Sequence, residues 1–323
     1  MTAAAILEVK NLKKHFQVRR GLLQRAIAEI KAVDGVSFSL AAGETLCLVG
    51  ESGCGKSTVG RLILRLLDAT SGDIVFQGEN ITALSREVMR GKRQALQIVF
   101  QDPYASLNPR LTAGTIVAEP VENFAGLGRR EREERVRELL ARVGLGADAL
   151  HKYPFEFSGG QRQRLGIARA LALSPSVIVA DEPVSALDVS VQAQVLNLMM
   201  DLQAELGLAY LFISHDLGVV EHMADRVAVM YLGRIVEIAE KEQLFASPRH
   251  PYTRALISAA PLPDPSASRE RLVLEGDVPS PMTPPSGCHF HTRCPFAVAR
   301  CRSEYPALRS GGLQHQFACH LDL

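Results

Sequence analysis

A glycine-rich segment near the N-terminus has the residue types needed to hold phosphate groups. Residues 50–57 read Gly-Glu-Ser-Gly-Cys-Gly-Lys-Ser, the pattern G-x-x-x-x-G-K-[ST], between a predicted strand and a predicted helix. Its glycines let backbone N–H groups wrap around an anion, and the helix start attracts negative charge. Lys56 can reach β- and γ-phosphates, and the Ser57 hydroxyl suits Mg²⁺. By itself the pattern predicts a nucleoside triphosphate site without separating kinases, GTPases and motors.

Two acidic residues, Asp181 and Glu182, follow the apolar run Val177–Ala180. The carboxyl ends of strands in open α/β sheets are where ligands bind. We therefore expect Asp181 to hold Mg²⁺ through its water shell and Glu182 to polarise an attacking water as a general base. The alternative is two solvated acids after a strand, and the phosphate loop is what favours chemical roles for both.

A second glycine-rich segment begins another predicted helix. Residues 157–164 read Phe-Ser-Gly-Gly-Gln-Arg-Gln-Arg. Ser158 is a natural N-cap, and the two glycines permit close backbone approach to an anion at the helix start. The chain therefore has two candidate anion sites, too far apart in one domain to share one γ-phosphate.

The elements that must position these residues alternate along the first 247 residues. The predicted strands are Thr45–Val49, Ile98–Phe100, Val177–Ala180, Ala209–Ile213 and Val227–Met230, and the predicted helices are Ser57–Leu67, Arg130–Val143, Gln161–Leu173 and Val191–Leu206. Buried strands alternating with helices predict a mainly parallel sheet covered on both faces. Before it, Ile6–Val9 and Val33–Leu40 have the pattern of antiparallel strands.

Composition changes near residue 248, because 11 of the 17 prolines lie in residues 248–323. Proline removes a backbone donor and fixes φ, so we expect neither regular helix nor central strand in this part. The predicted organisation is an α/β domain over 1–247, with a helical subdomain at about 103–165, and an irregular C-terminal extension over 248–323.

The bulk properties limit the function classes. With 36 basic and 35 acidic residues the formal net charge is +1, which gives no electrostatic case for nucleic-acid binding. No apolar run is long enough for a membrane-spanning helix, and Met1–Lys10 lacks the pattern of a secretory signal. We therefore expect any membrane role to come through a partner.

Together these motifs resemble the ABC (ATP-binding cassette) ATPases, whose signature reads leucine-serine-glycine-glycine-glutamine; Phe157 stands in the leucine place. The resemblance extends to Ser185–Asp188 and Ser214–Asp216. It implies a P-loop NTPase (RecA-like) fold: a mainly parallel sheet with an antiparallel β subdomain and a helical subdomain. It also implies that two cassettes pack head to tail, each signature clamping the ATP held by the other's phosphate loop.

The resemblance also implies roles for single residues. Phe16 matches the aromatic residue that stacks on adenine, with His15 a weaker candidate. Gln101 matches the glutamine that contacts Mg²⁺ and senses the membrane partner, and His215 matches the histidine that contacts γ-phosphate and orients the water. The expected ATP-binding set is Phe16, Gly50, Glu51, Ser52, Gly53, Cys54, Gly55, Lys56, Ser57, Thr58, Gln101, Ser158, Gly159, Gly160, Gln161, Asp181 and Asp188, with Mg²⁺ at Ser57, Gln101 and Asp181 and catalysis by Glu182 and His215.

Three further segments resemble dipeptide and oligopeptide importers: residues 101–110, 181–190 and 250–256. With Lys13–Phe16 and the signature, they resemble the second of the two unlike ATPase subunits in those importers. This implies a sister ATPase subunit in a heterodimer, two transmembrane permeases and an external peptide-binding protein, on the cytoplasmic face of a bacterial inner membrane. Relatives with these motifs import nickel, sugars or antibiotics, and the rival classes are non-transport ABC proteins and regulatory P-loop GTPases or kinases.

The C-terminal extension contains Cys288, Cys294, Cys301 and Cys319. Four thiolates can ligate Zn²⁺ or a [4Fe–4S] cluster, but neither common C-x2-C spacing occurs. The tail resembles the C-terminal extension of peptide-importer ATPases, some of which have an iron–sulfur cluster, and this resemblance implies a four-cysteine iron–sulfur site with a structural or redox-sensing role. The alternative is four small apolar residues in a core.

Overall fold

The computed structural model describes residues 5–20, 25–124, 126–259, 272, 274–312 and 314–322. Its residues form two compact units. The first comprises Ala41–Glu44 and Leu84–Ile213, and the second comprises Ala5–Leu40, Thr45–Ala83 and Ser214–Leu323. These two units do not coincide with the two domains expected on either side of residue 248, and that boundary stays a prediction.

The strands are β1 (Ala5–Arg20), β2 (Arg25–Ala41), β3 (Thr45–Val49), β4 (Ser71–Phe76), β5 (Glu79–Asn80), β6 (Leu96–Val99), β7 (Val177–Asp181), β8 (Ala209–Ser214), β9 (Arg226–Tyr231), β10 (Arg234–Glu240), β11 (Arg309–Gly312) and β12 (His315–Phe317). The α-helices are α1 (Lys56–Ile63), α2 (Arg86–Lys92), α3 (Pro103–Ser106), α4 (Ala113–Phe124), α5 (Arg129–Arg142), α6 (Gly159–Leu171), α7 (Val189–Leu206), α8 (Leu217–Met223), α9 (Lys241–Ala246), α10 (Pro251–Ala259) and α11 (Ala299–Ser303). Short 3₁₀ turns cover Ala147–His151 and Pro154–Glu156.

In the first unit, β6, β7 and β8 form parallel pairs, with Leu96 opposite Val177 and Val177 opposite Ala209. Every residue of β7 and β8 is buried. Strands buried on both faces need apolar side chains throughout, which explains why they appear in the sequence as continuous apolar runs. Helices α4, α5 and α6 pack against one another in the same unit.

In the second unit, β3 pairs in parallel with β9, and β9 pairs antiparallel with β10. The C-terminal strand β12 pairs with β10, and β11 pairs with β12. A separate antiparallel sheet has the order β2-β1-β4-β5, with Leu7 opposite Phe76. The predicted antiparallel strands are therefore confirmed, although both are longer than predicted.

Three expectations were wrong in detail. The strand expected at Ile98–Phe100 is β6, which ends at Val99 and leaves Phe100 outside it. The helix expected to reach Leu67 ends at Ile63, because Arg65 takes a left-handed φ of 52°. Both a regular helix and a central strand occur beyond residue 248. Helix α10 begins with Pro251, and the first position of a helix needs no N–H donor. Strand β12 pairs with β10 on one side and with β11 on the other.

A buried carboxylate attaches the C-terminal extension to β10. Glu237 has no exposed surface. It accepts hydrogen bonds from the backbone N–H groups of Arg249 and His250, at 2.6 and 2.9 Å, and lies 2.7 Å from Nε2 of His315. Arg249 and His250 directly precede α10, and His315 is the first residue of β12. The start of α10 and strand β12 are therefore both bound to a single residue of β10.

His250 beside this carboxylate makes stability depend on pH. Its Nδ1 accepts a hydrogen bond from the Tyr252 N–H at 3.1 Å, and burial lowers its pKa to about 4 although Glu237 acts to raise it. Between pH 6.5 and pH 4 the unfolded chain binds a proton here that the folded chain does not. We expect the free energy of unfolding to fall by up to about 3 kcal/mol across this window as the pH decreases.

Urea unfolding at pH 7 and pH 4.5 measures this effect. In His250→Asn, an amide oxygen replaces Nδ1 as acceptor and does not titrate, so the loss of stability on acidification should shrink. The matched control is His151→Asn, at an exposed histidine. An equal pH dependence in both variants and the unmodified chain would contradict the assignment.

Candidate functional site

The predicted phosphate loop forms a tight connection between β3 and α1 in the second unit. Gly50, Gly53 and Gly55 have φ angles of 150°, 79° and 108°. A Cβ atom would lie 2.2 Å from Met230 O at Gly50 and 2.2 Å from Ala32 O at Gly55. Backbone conformation and available space therefore both require glycine at these two positions.

The side chain of Lys56 is held inside the loop. It is almost fully buried, and its Nζ donates to the backbone oxygens of Gly50 at 2.7 Å and Glu51 at 3.1 Å. The N-cap of α1 is Gly55, which has no side chain to accept from the first N–H groups of the helix. The loop thus combines a buried ammonium group with a helix start that no side chain caps, an arrangement suited to an anion.

Cys54, in the middle of the loop, is buried. Burial raises the pKa of its thiol, although the charge of Lys56 acts in the opposite direction. A thiol with a raised pKa stays protonated at neutral pH and reacts slowly.

The candidate adenine contact lies on β1 of the second unit. Phe16 is partly exposed, with Lys14 Nζ at 5.0 Å from its ring centroid. Both ring nitrogens of the neighbouring His15 contact carboxylates: its Nε2 lies 3.0 Å from Asp34 Oδ1 and its Nδ1 lies 3.5 Å from Glu29 Oε2. The structure therefore favours Phe16 over His15 as a stacking surface.

His215 lies in the turn between β8 and α8, and it is exposed. Asp216 caps α8 by accepting from the N–H of Gly218 at 2.8 Å, and its own N–H donates to Ser214 Oγ at 3.0 Å. These bonds fix the backbone on both sides of His215, the residue predicted to contact the γ-phosphate.

In the first unit, the acid pair lies at the end of β7, with Asp181 buried as its last residue. Glu182 has a φ of 47°, and its N–H donates to Ile213 O at 3.0 Å. Gln101 Nε2 donates to Glu182 Oε2 at 2.9 Å. The structure thus brings together two residues that are 81 positions apart and for which the sequence predicted different roles in ATP hydrolysis.

The second glycine-rich segment begins α6 as predicted. Ser158 Oγ accepts from the Gln161 N–H at 3.3 Å, and Gln161 Oε1 accepts from the Ser158 N–H at 2.9 Å, which forms a capping box. A Cβ atom on Gly160 would lie 2.3 Å from Cγ1 of Val191 in α7. Ser158 and Gln161 are exposed, as is Asp188, the N-cap of α7.

Sequence reasoning missed two residues of the C-terminal extension, Tyr252 and Arg293, which contact Glu51 of the phosphate loop. Tyr252 belongs to the segment 250–256 that resembles peptide importers, but that resemblance gave it no role at the phosphate loop, and Arg293 belongs to no motif named above. Glu51 is 201 positions from Tyr252 and 242 positions from Arg293.

The four cysteines of the extension lie near enough to influence one another. Burial raises the pKa of Cys288 and of Cys294 to about 11, and both interact with Cys301 and Cys319. Among the residues that the structure describes, which include all four, no group of three or more His, Cys, Asp or Glu side chains could hold a metal ion. The structure gives no support to the zinc or iron–sulfur hypothesis, and the alternative of apolar packing fits the buried Cys301 and Cys319.

Within the described part of the chain, no helix is both long enough and apolar enough to span a membrane.

Comparison with known proteins decides the family. The family described as ABC transporter matches residues 33–185, and the oligopeptide/dipeptide transporter C-terminal region matches residues 236–301. A probable peptide ABC transporter ATP-binding protein of Sinorhizobium fredii is 59% identical over 317 residues, which cover 98% of this chain and 90% of that one. The chain belongs to the ABC transporter ATP-binding proteins. The oligopeptide transport ATP-binding protein AppF of Bacillus subtilis is 56% identical over 99% of both chains.

Solved structures of ABC cassettes agree with this family and its fold. CbiO1 from Clostridium perfringens, part of an ABC transporter complex, has a TM-score of 0.65 at 29% identity, covering 75% of this chain and 91% of that one. The cassette MJ0796, solved as a dimer bound to ADP and phosphate, has a TM-score of 0.65 at 28% identity, covering 73% and 98%. The predicted P-loop NTPase fold is confirmed, and the chain is an ABC ATPase rather than a regulatory GTPase or kinase.

Proposed function

We propose that this ABC ATPase hydrolyses ATP to power the import of dipeptides or oligopeptides, bound to the cytoplasmic face of a bacterial inner membrane. The similarity of the whole chain to peptide-transport ATPases carries this proposal. The dipeptide transport ATP-binding protein DppF of Haemophilus influenzae is 52% identical over 98% of this chain. The match to the oligopeptide/dipeptide transporter C-terminal region, residues 236–301, lies outside the residues 33–185 that match the ABC transporter family, and it adds support for a peptide cargo.

ATP binding is assigned to the phosphate loop and to Phe16. Lys56 and the backbone N–H groups of residues 50–58 would bind the phosphates, because the loop already surrounds a buried ammonium group. Phe16 would stack on adenine. The hydroxyl, amide and carboxylate oxygens of Ser57, Gln101 and Asp181 are hard ligands that fit Mg²⁺, which when bound neutralises phosphate charge.

Catalysis is assigned to Glu182, with His215 orienting the attacking water. A carboxylate near the attacking water can accept its proton. The amide of Gln101 holds one oxygen of Glu182 at 2.9 Å, and the backbone of Glu182 is in the sparsely populated left-handed region. Such strain persists only where the surroundings fix the residue, which supports a functional position.

A dimer would complete the site. The dimeric state of MJ0796 supports this, as do the exposed residues Ser158 and Gln161 at the start of α6. In this proposal, the α6 start of one subunit clamps ATP on the phosphate loop of a sister ATPase subunit, and Asp188 lies at the same interface. ATP then stabilises the closed dimer, and hydrolysis releases it.

The permease contact is assigned to an exposed aromatic patch, which we define as Tyr104, Tyr153 and Phe155. Tyr104 and Phe155 are 65% and 68% exposed, and the rings of Tyr153 and Phe155 stack at 5.7 Å. Arg162 of α6 links the patch: its Cζ lies 3.7 Å from the Tyr104 ring centroid, and its Nε donates to Pro154 O at 2.6 Å. Exposed aromatic clusters are typical of protein interfaces, and Tyr104 of this patch lies three residues after Gln101 in the chain.

Copurification with the two permeases tests this surface and the transport assignment together. We expect the double variant Tyr104→Ser, Phe155→Ser to reduce permease recovery at least roughly tenfold. Aromatic side chains that become buried in a complex contribute most of the binding energy of an interface. Val88→Ser, at another exposed apolar residue of the same unit, is the control and should retain the permeases. Absence of any hydrophobic partner with the unmodified chain would contradict the transport function, and unchanged recovery with the double variant would contradict the surface.

A further inference from the structure

We propose that Arg293 of the C-terminal extension is a positioning residue for the phosphate loop, where it neutralises the carboxylate of Glu51 so that the loop can accept the triphosphate of MgATP. This inference rests on the ATP site proposed at residues 50–58.

The contact is a bidentate ion pair between segments far apart in the chain. Arg293 Nη1 lies 2.9 Å from Glu51 Oε2, and Nη2 lies 3.1 Å from Oε1. The Arg293 side chain is only 9% exposed, so solvent screens the pair weakly. Parallel guanidinium–carboxylate hydrogen bonds fix geometry as well as charge.

The charge of Glu51 explains why such a partner is needed. Glu51 is the second residue of the loop, and its backbone oxygen accepts from Lys56 Nζ at 3.1 Å. An unpaired carboxylate at this position would repel a triphosphate and compete for the lysine ammonium group. Burial is the largest single influence on the pKa of Arg293 and acts to lower it, but the hydrogen bonds and charges of Glu51 and Tyr231 together raise it above its usual value, so the guanidinium stays charged.

Other contacts hold the extension in place at the same loop residue. The Tyr252 hydroxyl accepts from the Glu51 N–H at 2.8 Å. Phe290 is buried, with its ring 5.3 Å from that of Tyr231 and 5.4 Å from that of Tyr252. The Arg293 N–H donates to Phe290 O at 3.0 Å, so the turn that presents the guanidinium is anchored in an aromatic cluster. The extension therefore neutralises the carboxylate of Glu51 and holds its backbone in place.

Equilibrium binding of MgATP to the full chain tests the inference in a double-mutant cycle. Arg293→Ala should weaken binding at least roughly tenfold, because Glu51 is left unpaired and repels the phosphates. In the Glu51→Gln background, the same Arg293→Ala change should weaken binding less than about threefold, because there is no longer a carboxylate to neutralise. The loss in the single variant should also shrink as salt is raised, which a purely structural defect would not do.

Arg300→Ala is the matched control, because Arg300 makes a bidentate pair with Glu304 that is exposed and remote in sequence from the loop. It should leave the affinity for MgATP unchanged. An equal loss from Arg293→Ala in both backgrounds would overturn the inference while leaving the ATP site intact. Failure of the unmodified chain to bind MgATP would overturn the proposed ATP site and this inference together.

Discussion

Replacement of Glu182 by glutamine should lower the rate of ATP hydrolysis by about 10² to 10⁴-fold while ATP remains bound. Glutamine keeps the shape of the side chain and an oxygen that can accept from Gln101, which lies 2.9 Å from the carboxylate. It cannot take a proton from water, so the substitution removes the proposed base with little change in structure. Because ATP would then persist at the interface, the dimer should also become more stable.

Phosphate release and retained nucleotide, measured on the same preparation, separate these effects. Size-exclusion chromatography of the chain mixed with its sister ATPase subunit and ATP should show more dimer for Glu182→Gln than for the unmodified chain. The control is Glu205→Gln, at an exposed carboxylate paired with Arg142 in the same unit. Hydrolysis by Glu182→Gln at the unmodified rate would show that another group is the base.

Replacement of Lys56 by methionine should weaken ATP binding, raising the dissociation constant by about 100-fold. The lysine ammonium group is buried and donates to two loop oxygens, so it is available as a fixed positive charge for the phosphates. Charge-assisted hydrogen bonds are roughly twice as strong as neutral ones. Loss of two such bonds from the ammonium group to phosphate oxygens would account for an effect of this size. Methionine retains the apolar stem, so the loss should come from charge rather than from a cavity.

Titration with a fluorescent ATP analogue measures this change, with Lys10→Met as the control at an exposed lysine. The fold should remain intact, which far-ultraviolet circular dichroism checks. Binding within about threefold of the unmodified chain would contradict a phosphate role for Lys56.

Local patterns allowed much of this molecule to be predicted. The strand Thr45–Val49 was predicted with its observed bounds because it is buried along its whole length and is followed at once by a glycine-rich loop. The N-cap role of Ser158 was also predicted, and the bonds that establish it join residues only three positions apart. In both cases the residues that determine the structure are neighbours in the sequence.

Long-range contacts could not be predicted in this way. Glu51 and Arg293 are 242 positions apart, and neither residue type nor spacing indicates that they form a pair. Helix α10 was missed because a high proline content was taken to exclude helix, although Pro251 stands at the one helical position that suits it. The tail cysteines were expected to form a metal site, with apolar packing as the alternative. Their spacing along the chain could not show that no group of them among the described residues could hold a metal ion.

Uptake of a radiolabelled dipeptide by cells lacking this chain tests most directly whether its ATP hydrolysis powers peptide import. We expect uptake to be lost without the chain, to return with the unmodified chain and not to return with Glu182→Gln. Unlabelled dipeptide should compete with the label, whereas nickel and sugars should not, since these are the alternative cargoes of related importers. Unchanged dipeptide uptake in cells without the chain, with nickel or sugar uptake lost instead, would contradict peptide import and assign the ATPase to another cargo.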